Sequence, residues 1–199
     1  MATTESPRHG LRELTRRAVR EQIAGTAMRL FVVQGFEATT VDQIAAAVGM
    51  SGRSVFRYFP TKEEMVVGHL AETGDRLAAA LAARPFDEPP WVALRRAMDG
   101  HLDELGHDAE AEIATTLMLA GTPALRGALL SKRARWADAL VPQVIRRLGG
   151  PETDREFRAR AVVSAALACL NTAVDEWARR GGTESAAALL DQAVAAVRG

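Results

Sequence analysis

The chain has 199 residues, of which 48% are hydrophobic and 5% aromatic, and it shows no sustained alternation of apolar and polar residues. This length can bury a sizeable core, and the composition predicts an all-α protein and excludes one built mainly on strands. Cys169 is the one cysteine, which excludes an internal disulfide. No N-terminal apolar segment of signal-peptide length is present, so we expect a cytoplasmic protein without a membrane partner.

The formal net charge is +0, but the charge is unevenly distributed along the chain. Residues 1–62 contain nine Arg or Lys against five Asp or Glu, a difference of +4, whereas residues 63–199 contain sixteen against twenty, a difference of −4. A local excess of positive charge is typical of contact with phosphates. We therefore expect a mobile tail over 1–14, a nucleic-acid-binding domain over 15–62 and a larger second domain over 63–199.

The first predicted helix covers residues 15–34. Ile23, Ala27 and Phe31 lie on one face at helical spacing, which predicts that this face packs against the next elements. Gly35 follows the last periodic residue and is expected to end the helix.

Two short helices follow, and their caps predict a helix-turn-helix. Thr40 and Gln43 form the Thr-x-x-Gln pattern of a capping box, and Gly49 stops this helix after about two turns. Ser51 caps the next helix, which we expect to end at Pro60. A helix, a short glycine-containing turn and a second helix are the arrangement that places one helix in the major groove of DNA.

The helical pattern continues to the end of the chain and brings the predicted total to about nine helices. The last two are apolar or alanine-rich, so both should be buried, one of them against a second copy of the chain. This predicts a homodimer formed through the last two helices. The predicted segments are 61–84, 91–106, 109–120, 123–148, 153–180 and 184–198.

Residues 40–65 contain Thr-Val-Asp-Gln-Ile-Ala, then Val-Gly-Met-Ser, then Phe-Arg-Tyr-Phe-Pro-Thr-Lys-Glu. This motif resembles the DNA-binding signature of TetR-family transcriptional regulators. Residues 117–126, Leu-Met-Leu-Ala-Gly-Thr-Pro-Ala-Leu-Arg, followed by Trp136, resemble the subgroup whose C-terminal domain is described as acyl-CoA-like ligand binding. The resemblance implies a homodimeric repressor that binds a palindromic double-stranded DNA operator and is released by a small lipophilic or acyl-type effector, such as an acyl-CoA. It implies no cofactor.

Recognition helices read base edges with their N-terminal residues, so direct readout is expected from Gly52, Arg53 and Ser54, with Arg57 one turn further along. Arg53 can bond guanine at two points in the major groove. The alternative for Arg53 is a phosphate-bound or solvated side chain.

The family resemblance assigns phosphate contacts to Thr40, Tyr58 and Lys62. Many family members have tyrosine where this chain has Phe56, so we expect that side chain to pack rather than to bind phosphate. The complete predicted DNA-binding set is Thr40, Ser51, Gly52, Arg53, Ser54, Arg57, Tyr58 and Lys62.

A regulator of this kind needs an effector whose affinity differs between two arrangements of the protein, and we expect its pocket within residues 66–180. Asn171 and Asp175 are four residues apart on an otherwise apolar helix, so they either line a polar spot in a cavity or satisfy buried backbone. The candidate pocket residues are Trp91, Met98, His101, Leu117, Met118, Trp136, Asn171 and Asp175.

Two other functions are weighed against this prediction. A constitutive DNA-binding protein would need no effector and would have a solidly packed second domain. An enzyme is disfavoured because the sequence contains no His-Glu-x-x-His, no Gly-rich phosphate loop and no Gly-x-Ser-x-Gly. His101, Glu104 and Asp108 share one helix face, but the charge around them favours a solvated helix end over a metal site.

Overall fold

The computed structural model describes the backbone of residues 7–198 and the side chains of residues 12–68, 70–71 and 73–198. All regular secondary structure in the described residues is helical, which confirms the predicted all-α class. The chain divides into two compact units, and the division falls between His69 and Leu70.

The first unit contains α1 (Pro7–Gln34), α2 (Val41–Ala47), α3 (Gly52–Phe56) and the beginning of α4 (Lys62–Ala82). α1 begins at Pro7 rather than at Thr15, so residues 7–14 of the predicted mobile tail are helical, and residues 1–6 lie outside the described residues. Leu, Arg and Glu, which are good helix formers, dominate the added turns and allow this extension. Gly35 ends α1 with φ of 85°, as expected.

The core of the first unit is formed by the apolar faces of its helices. Phe31 from α1, Ile44 from α2, Val55 from α3 and Met65 from α4 are fully buried. Phe59, which follows α3, is buried with them. The short helices are therefore stabilised by packing and not by their own length, because helices of five to seven residues are unstable alone.

The second unit contains the rest of α4 and six further α-helices: α5 (Pro90–Ala97), α6 (Asp99–His107), α7 (Ala109–Gly121), α8 (Arg126–Ile145), α9 (Glu152–Arg179) and α10 (Ala186–Arg198). The segment predicted as one helix over 91–106 is divided in two at Met98. A single 3-10 turn, Pro123–Leu125, precedes α8.

α9 is the central helix of the second unit and packs against α5, α7, α8 and α10. By length and composition alone α9 could cross a membrane, but here it contributes Leu167, Leu170 and Trp177 to the buried core of the unit. Its C-terminus is closed by Gly181 and Gly182, both with positive φ, whose amides donate to carbonyls of the last turn.

Candidate functional site

The capping box predicted at the start of α2 is present. The Thr40 hydroxyl accepts a hydrogen bond from the Gln43 amide at 3.2 Å, and the Gln43 side chain accepts one from the Thr40 amide at 2.8 Å. Thr40 remains exposed while it caps the helix. The predicted phosphate contact of Thr40 would therefore be made by a side chain whose position the cap already restricts.

The turn between α2 and α3 is closed by the predicted glycine. Gly49 has φ of 68°, and its amide donates to the Ala46 carbonyl at 3.2 Å. The Met50 amide donates to the Ala45 carbonyl at 2.9 Å, which completes a Schellman motif. A side chain at position 49 would be strained in this conformation, so the sharp turn requires glycine.

α3 is the candidate recognition helix, and it is shorter than predicted. The Ser51 hydroxyl caps it by accepting from the Ser54 amide at 3.2 Å, and the two hydroxyls lie 2.9 Å apart. The helix ends at Phe56, not at Pro60, and the chain continues through a turn at Arg57 and Tyr58. Ser51 and Ser54 are therefore occupied with each other in this conformation.

The two arginines predicted for readout are exposed. Arg53 and Arg57 both extend from α3 and its C-terminal turn, while Val55 between them is fully buried and holds the helix on the domain. Gly52 lies where α2 approaches the start of α3, because a Cβ there would come within 2.6 Å of a carboxylate oxygen of Asp42. Phe56 is 50% exposed, so the packing role expected for it is only partly realised.

A basic groove lies between α1 and the turn that follows α3. Its lining residues are Arg12, Thr15, Arg16, Arg57 and Tyr58. The three guanidinium groups are exposed and carry charge that suits a phosphate backbone. Sequence reasoning did not assign Arg16 to the site, because the signal is the approach of residues about forty positions apart in the chain.

Arg20, also on α1, positions the turn that follows α3. Its guanidinium donates to the Tyr58 carbonyl and lies 4.2 Å from the centroid of the Phe59 ring. The turn after α3 is therefore fixed to α1 by one buried aromatic ring and one charged hydrogen bond. Sequence reasoning missed this residue too.

The structure gives Lys62 a role that differs from the predicted phosphate contact. Its Nζ donates to the Phe36 carbonyl at 2.8 Å and to the Thr39 carbonyl at 2.9 Å, and it lies 4.5 Å from the centroid of the Phe36 ring. Two of the three ammonium protons are thus used inside the domain. Lys62 fixes the loop between α1 and α2, and a phosphate contact would have to use the remaining proton.

The second unit contains a cavity of about 130 Å³ between α4, α6, α7, α8 and α9. Four of the eight predicted pocket residues line it: His101, Trp136, Asn171 and Asp175. The other lining residues were not predicted: Leu70, Thr73, Leu105, Glu112, Thr115, Thr116, Leu119, Ala120, Leu129, Lys132, Arg133, Leu170 and Val174.

The remaining four predicted residues lie away from this cavity. Met98 is buried in the core at the break between α5 and α6, and Trp91 packs at the edge of the same core. Leu117 is exposed, and Met118 occupies the turn of α7 next to it. Residue type identified these side chains as candidates, but the faces of α5 and α7 that carry them do not point to the cavity.

Trp136 forms a wall of the cavity. Its indole nitrogen donates to the Leu70 carbonyl at 3.2 Å, which satisfies the one polar atom of a buried side chain. Gly74 lies beneath the indole, because a Cβ at that position would overlap the ring. Gly74 in the interior of α4 is the sequence signal that could have predicted this close approach, because glycine is unfavourable inside a helix.

Lys132 is the buried charge of the cavity. It is 8% exposed, and its Nζ lies 4.3 Å from the centroid of the Trp136 ring. Among the described residues, no carboxylate forms an ion pair with this ammonium and no oxygen accepts a hydrogen bond from it. Burial lowers the pKa of Lys132 to about 8.

Two further polar residues face the cavity. Burial lowers the pKa of His101 to about 4, so its imidazole is neutral at pH 7. The Asn171 amide nitrogen donates to the Leu167 carbonyl one turn back, which leaves its side-chain oxygen as an acceptor at the cavity. Asn171 therefore fulfils both roles considered for it from the sequence: it satisfies a backbone carbonyl and it lines a polar spot of the cavity.

Two protein-family models match this chain. The model described as "Bacterial regulatory proteins, tetR family" matches residues 23–67, and the model described as "MftR C-terminal domain" matches residues 88–199. The chain belongs to the TetR family and is a DNA-binding transcriptional regulator with an N-terminal helix-turn-helix.

Curated relatives and solved structures agree with this assignment. The chain is 33% identical over 183 residues to the HTH-type transcriptional regulator TcmR of Streptomyces glaucescens, with 88% of this chain and 80% of TcmR covered. It is 28% identical over 175 residues to the putative mycofactocin biosynthesis transcriptional regulator MftR of Mycobacterium tuberculosis, with 79% and 78% covered.

The fold is also similar to that of FadR from Thermus thermophilus, a TetR-family transcriptional repressor solved in complex with lauroyl-CoA. The TM-score is 0.57 at 21% sequence identity, with 88% of this chain and 91% of FadR covered. At this identity the similarity concerns the fold.

Proposed function

We propose that this protein is a repressor that binds a palindromic operator as a homodimer and is released from it by a small effector. The observation that carries the proposal is the cavity of the second unit, which is bounded by five helices and contains a buried charge. A constitutive DNA-binding protein would have no use for such a cavity, because an unfilled cavity weakens the fold. The regulator acts in the cytoplasm.

The DNA-binding part of the proposal rests on the first unit. Arg53 is assigned to base readout because it is exposed at the N-terminal part of α3, where recognition helices meet base edges. Arg12, Arg16 and Arg57 are assigned to phosphates because they share one basic groove. A homodimer presents two such surfaces, so the operator should contain two inverted half-sites.

Dimerisation through α9 and α10 is supported by apolar side chains on their free surfaces. Phe157 on α9 and Val197 on α10 are 74% and 59% exposed. Large apolar side chains on a surface are favourable once a partner covers them. Sedimentation of the purified protein should give a dimer, and Phe157→Glu should shift the equilibrium to monomer if α9 forms the interface.

The size of the cavity limits the size of the effector that can bind in it. Sites for drug-sized ligands are roughly 300–1,000 Å³, so the cavity of about 130 Å³ accepts a compact molecule or the end of a longer one. An acyl-type effector such as an acyl-CoA could place only a short part of its chain there unless the helices separate. A compact effector is therefore favoured over a long one.

Operator binding measured with and without effector tests the proposal. Selection of bound sequences from a random DNA library should yield an inverted repeat, and fluorescence anisotropy on that repeat should show a lower affinity when a cavity ligand is added. Selection of one asymmetric half-site would contradict the homodimer, and ligands that bind the cavity without changing operator affinity would contradict release.

A further inference from the structure

Lys132 is a buried cation that the folded protein leaves without an anion. The side chain is 92% buried and lines the cavity, where its Nζ contacts the face of Trp136 and is attracted at longer range by the Asp175 carboxylate, with which it forms no ion pair. A cation–π contact is a weak attraction, whereas transferring an ammonium out of water is costly even after the protein relaxes. The indole face therefore compensates only part of the cost of burying this charge.

The other charged groups at the cavity do not offset the remaining cost of burying the Lys132 ammonium. Asp175 on α9 is partly exposed and attracts Lys132 without forming an ion pair, and burial of its carboxyl raises its pKa, which disfavours a charge on it. Arg133, next to Lys132 on α8, is exposed and adds a second positive charge. Glu112 on α7 is half-buried, and burial together with Asp108 and Glu104 raises its pKa, which disfavours a charge on it. The buried end of the cavity is positive.

We propose that the effector of this regulator is a compact carboxylate with an apolar body, whose carboxylate pairs with Lys132 while the body packs against Trp136 and the leucines of the cavity. This inference rests on the proposed function, because it names the chemistry of the effector for the same cavity. Lys132 supplies the charge-assisted hydrogen bond, and the Asn171 amide and the buried hydroxyl of Thr116 provide further polar positions at the same cavity.

The size of the cavity sets the size of the apolar body. A volume of about 130 Å³ is close to the roughly 150 Å³ of an engineered apolar cavity that binds benzene. Leu70, Leu105, Leu119, Leu129 and Leu170 supply most of the apolar lining. One ring or a short branched chain bearing one carboxylate fills this space, whereas a long acyl thioester has neither the size nor the anionic group at the right end.

The opposite polarity, a cationic effector bound by Asp175 and Glu112, is disfavoured by the same geometry. An ammonium or amidinium in the cavity would face the buried Lys132, and like charges at short distance repel strongly where the dielectric constant is low. Only an anion turns the unpaired lysine into a favourable contact.

A matched ligand series of benzoate, benzamide and benzamidine tests the inference, since the three have similar size and differ in charge. Thermal unfolding of the purified protein should show a rise in Tm with millimolar benzoate and a smaller or no rise with the other two. Cyclohexanecarboxylate and its amide repeat the comparison without an aromatic ring. If neither carboxylate raises Tm more than its amide, or if benzamidine is the best ligand, the inference is wrong.

Two variants test whether carboxylate binding depends on Lys132. Lys132→Met removes the charge at nearly constant volume and should weaken carboxylate binding by about tenfold or more, while the unliganded variant still unfolds cooperatively. Asp175→Asn removes a competing negative charge at an exposed position and should strengthen binding. Undiminished carboxylate affinity in Lys132→Met, or weaker affinity in Asp175→Asn, would overturn the assignment of Lys132.

Operator binding in the presence of the same ligands separates this inference from the proposed function. Release of the operator by a neutral or cationic compound, with no response to carboxylates, refutes the inference and leaves the repressor function supported. Carboxylate binding that depends on Lys132 but leaves operator affinity unchanged supports the inference about the cavity and refutes ligand-controlled release.

Discussion

Lys62 Nζ donates to the Phe36 carbonyl at 2.8 Å and lies 4.5 Å from the centroid of the ring of the same residue. One lysine at the start of α4 thus contacts both the backbone and the side chain that follow α1. Together with its bond to the Thr39 carbonyl, it fixes the loop from which α2 begins. This contact links the stability of the first unit to the position of the helix-turn-helix.

We expect Lys62→Met to destabilise the first unit by about 1–3 kcal/mol, because two carbonyls lose a charged donor. Denaturant unfolding followed by circular dichroism measures this loss. DNA binding should weaken for all sequences, since the loop before α2 is loosened. The dependence of log K on log salt should stay close to that of the wild type, and a slope smaller by about one would instead show that Lys62 contacts a phosphate.

Arg53→Ala should relax sequence preference, because a bidentate contact to guanine contributes about 1–3 kcal/mol of discrimination. Affinities for the operator and for variants with single base changes provide the measurement. Arg16→Ala is the matched control, since it removes an exposed arginine from the basic groove rather than from α3. That variant should lose affinity uniformly and reduce the salt slope by about one. Similar loss of preference in both variants would contradict this division of roles.

Gly68→Ala should destabilise the first unit by about 1–3 kcal/mol through overpacking. A Cβ at this position would lie 2.7 Å from the ring of Phe59, which is fully buried. Gly25→Ala in the middle of α1 is the control, because the nearest atom to its Cβ is Arg29 Nη1 at an ordinary 3.8 Å. Gly25→Ala should stabilise the protein by about 0.5–1 kcal/mol. Relative to the wild type, the urea midpoint should therefore decrease for Gly68→Ala and increase for Gly25→Ala.

His101 should make the second unit acid-sensitive. Its pKa is about 4 in the folded protein, lowered by burial, and 6.5 in the unfolded chain. Between these values the unfolded state binds the proton first, so stability is fully present above pH 6.5 and falls as the pH decreases to about 4. The loss can reach about 3 kcal/mol.

His101→Gln keeps a polar side chain at the cavity but cannot titrate, so its stability should fall less over the same pH range. The difference between the two proteins isolates the histidine from the carboxylates that also titrate there. Parallel stability curves for wild type and variant would show that His101 is not responsible.

Local signals in the sequence predicted the elements of the helix-turn-helix well. Thr40 with Gln43, Gly49 and Ser51 act within one or two turns, and each of these caps is present as expected. The end of α3 was less predictable, because Phe59 continues the hydrogen bonding to the Val55 carbonyl after the helix itself has ended. The start of α1 was also missed, although the sequence has Ser6 followed by Pro7, which is a typical start signal for a helix.

The sequence by itself determined the helical class, the caps and turns of the DNA-binding unit and the family, because these depend on residue types at short, defined spacings. Only the tertiary structure decided what Lys62, Arg20 and Lys132 do. Lys62 bonds to residues 26 and 23 positions away, and Arg20 to a carbonyl 38 positions away. Lys132 becomes an unpaired buried charge because helices from across the second unit exclude water around it. Burial and long-range contacts arise from packing, which no local pattern specifies.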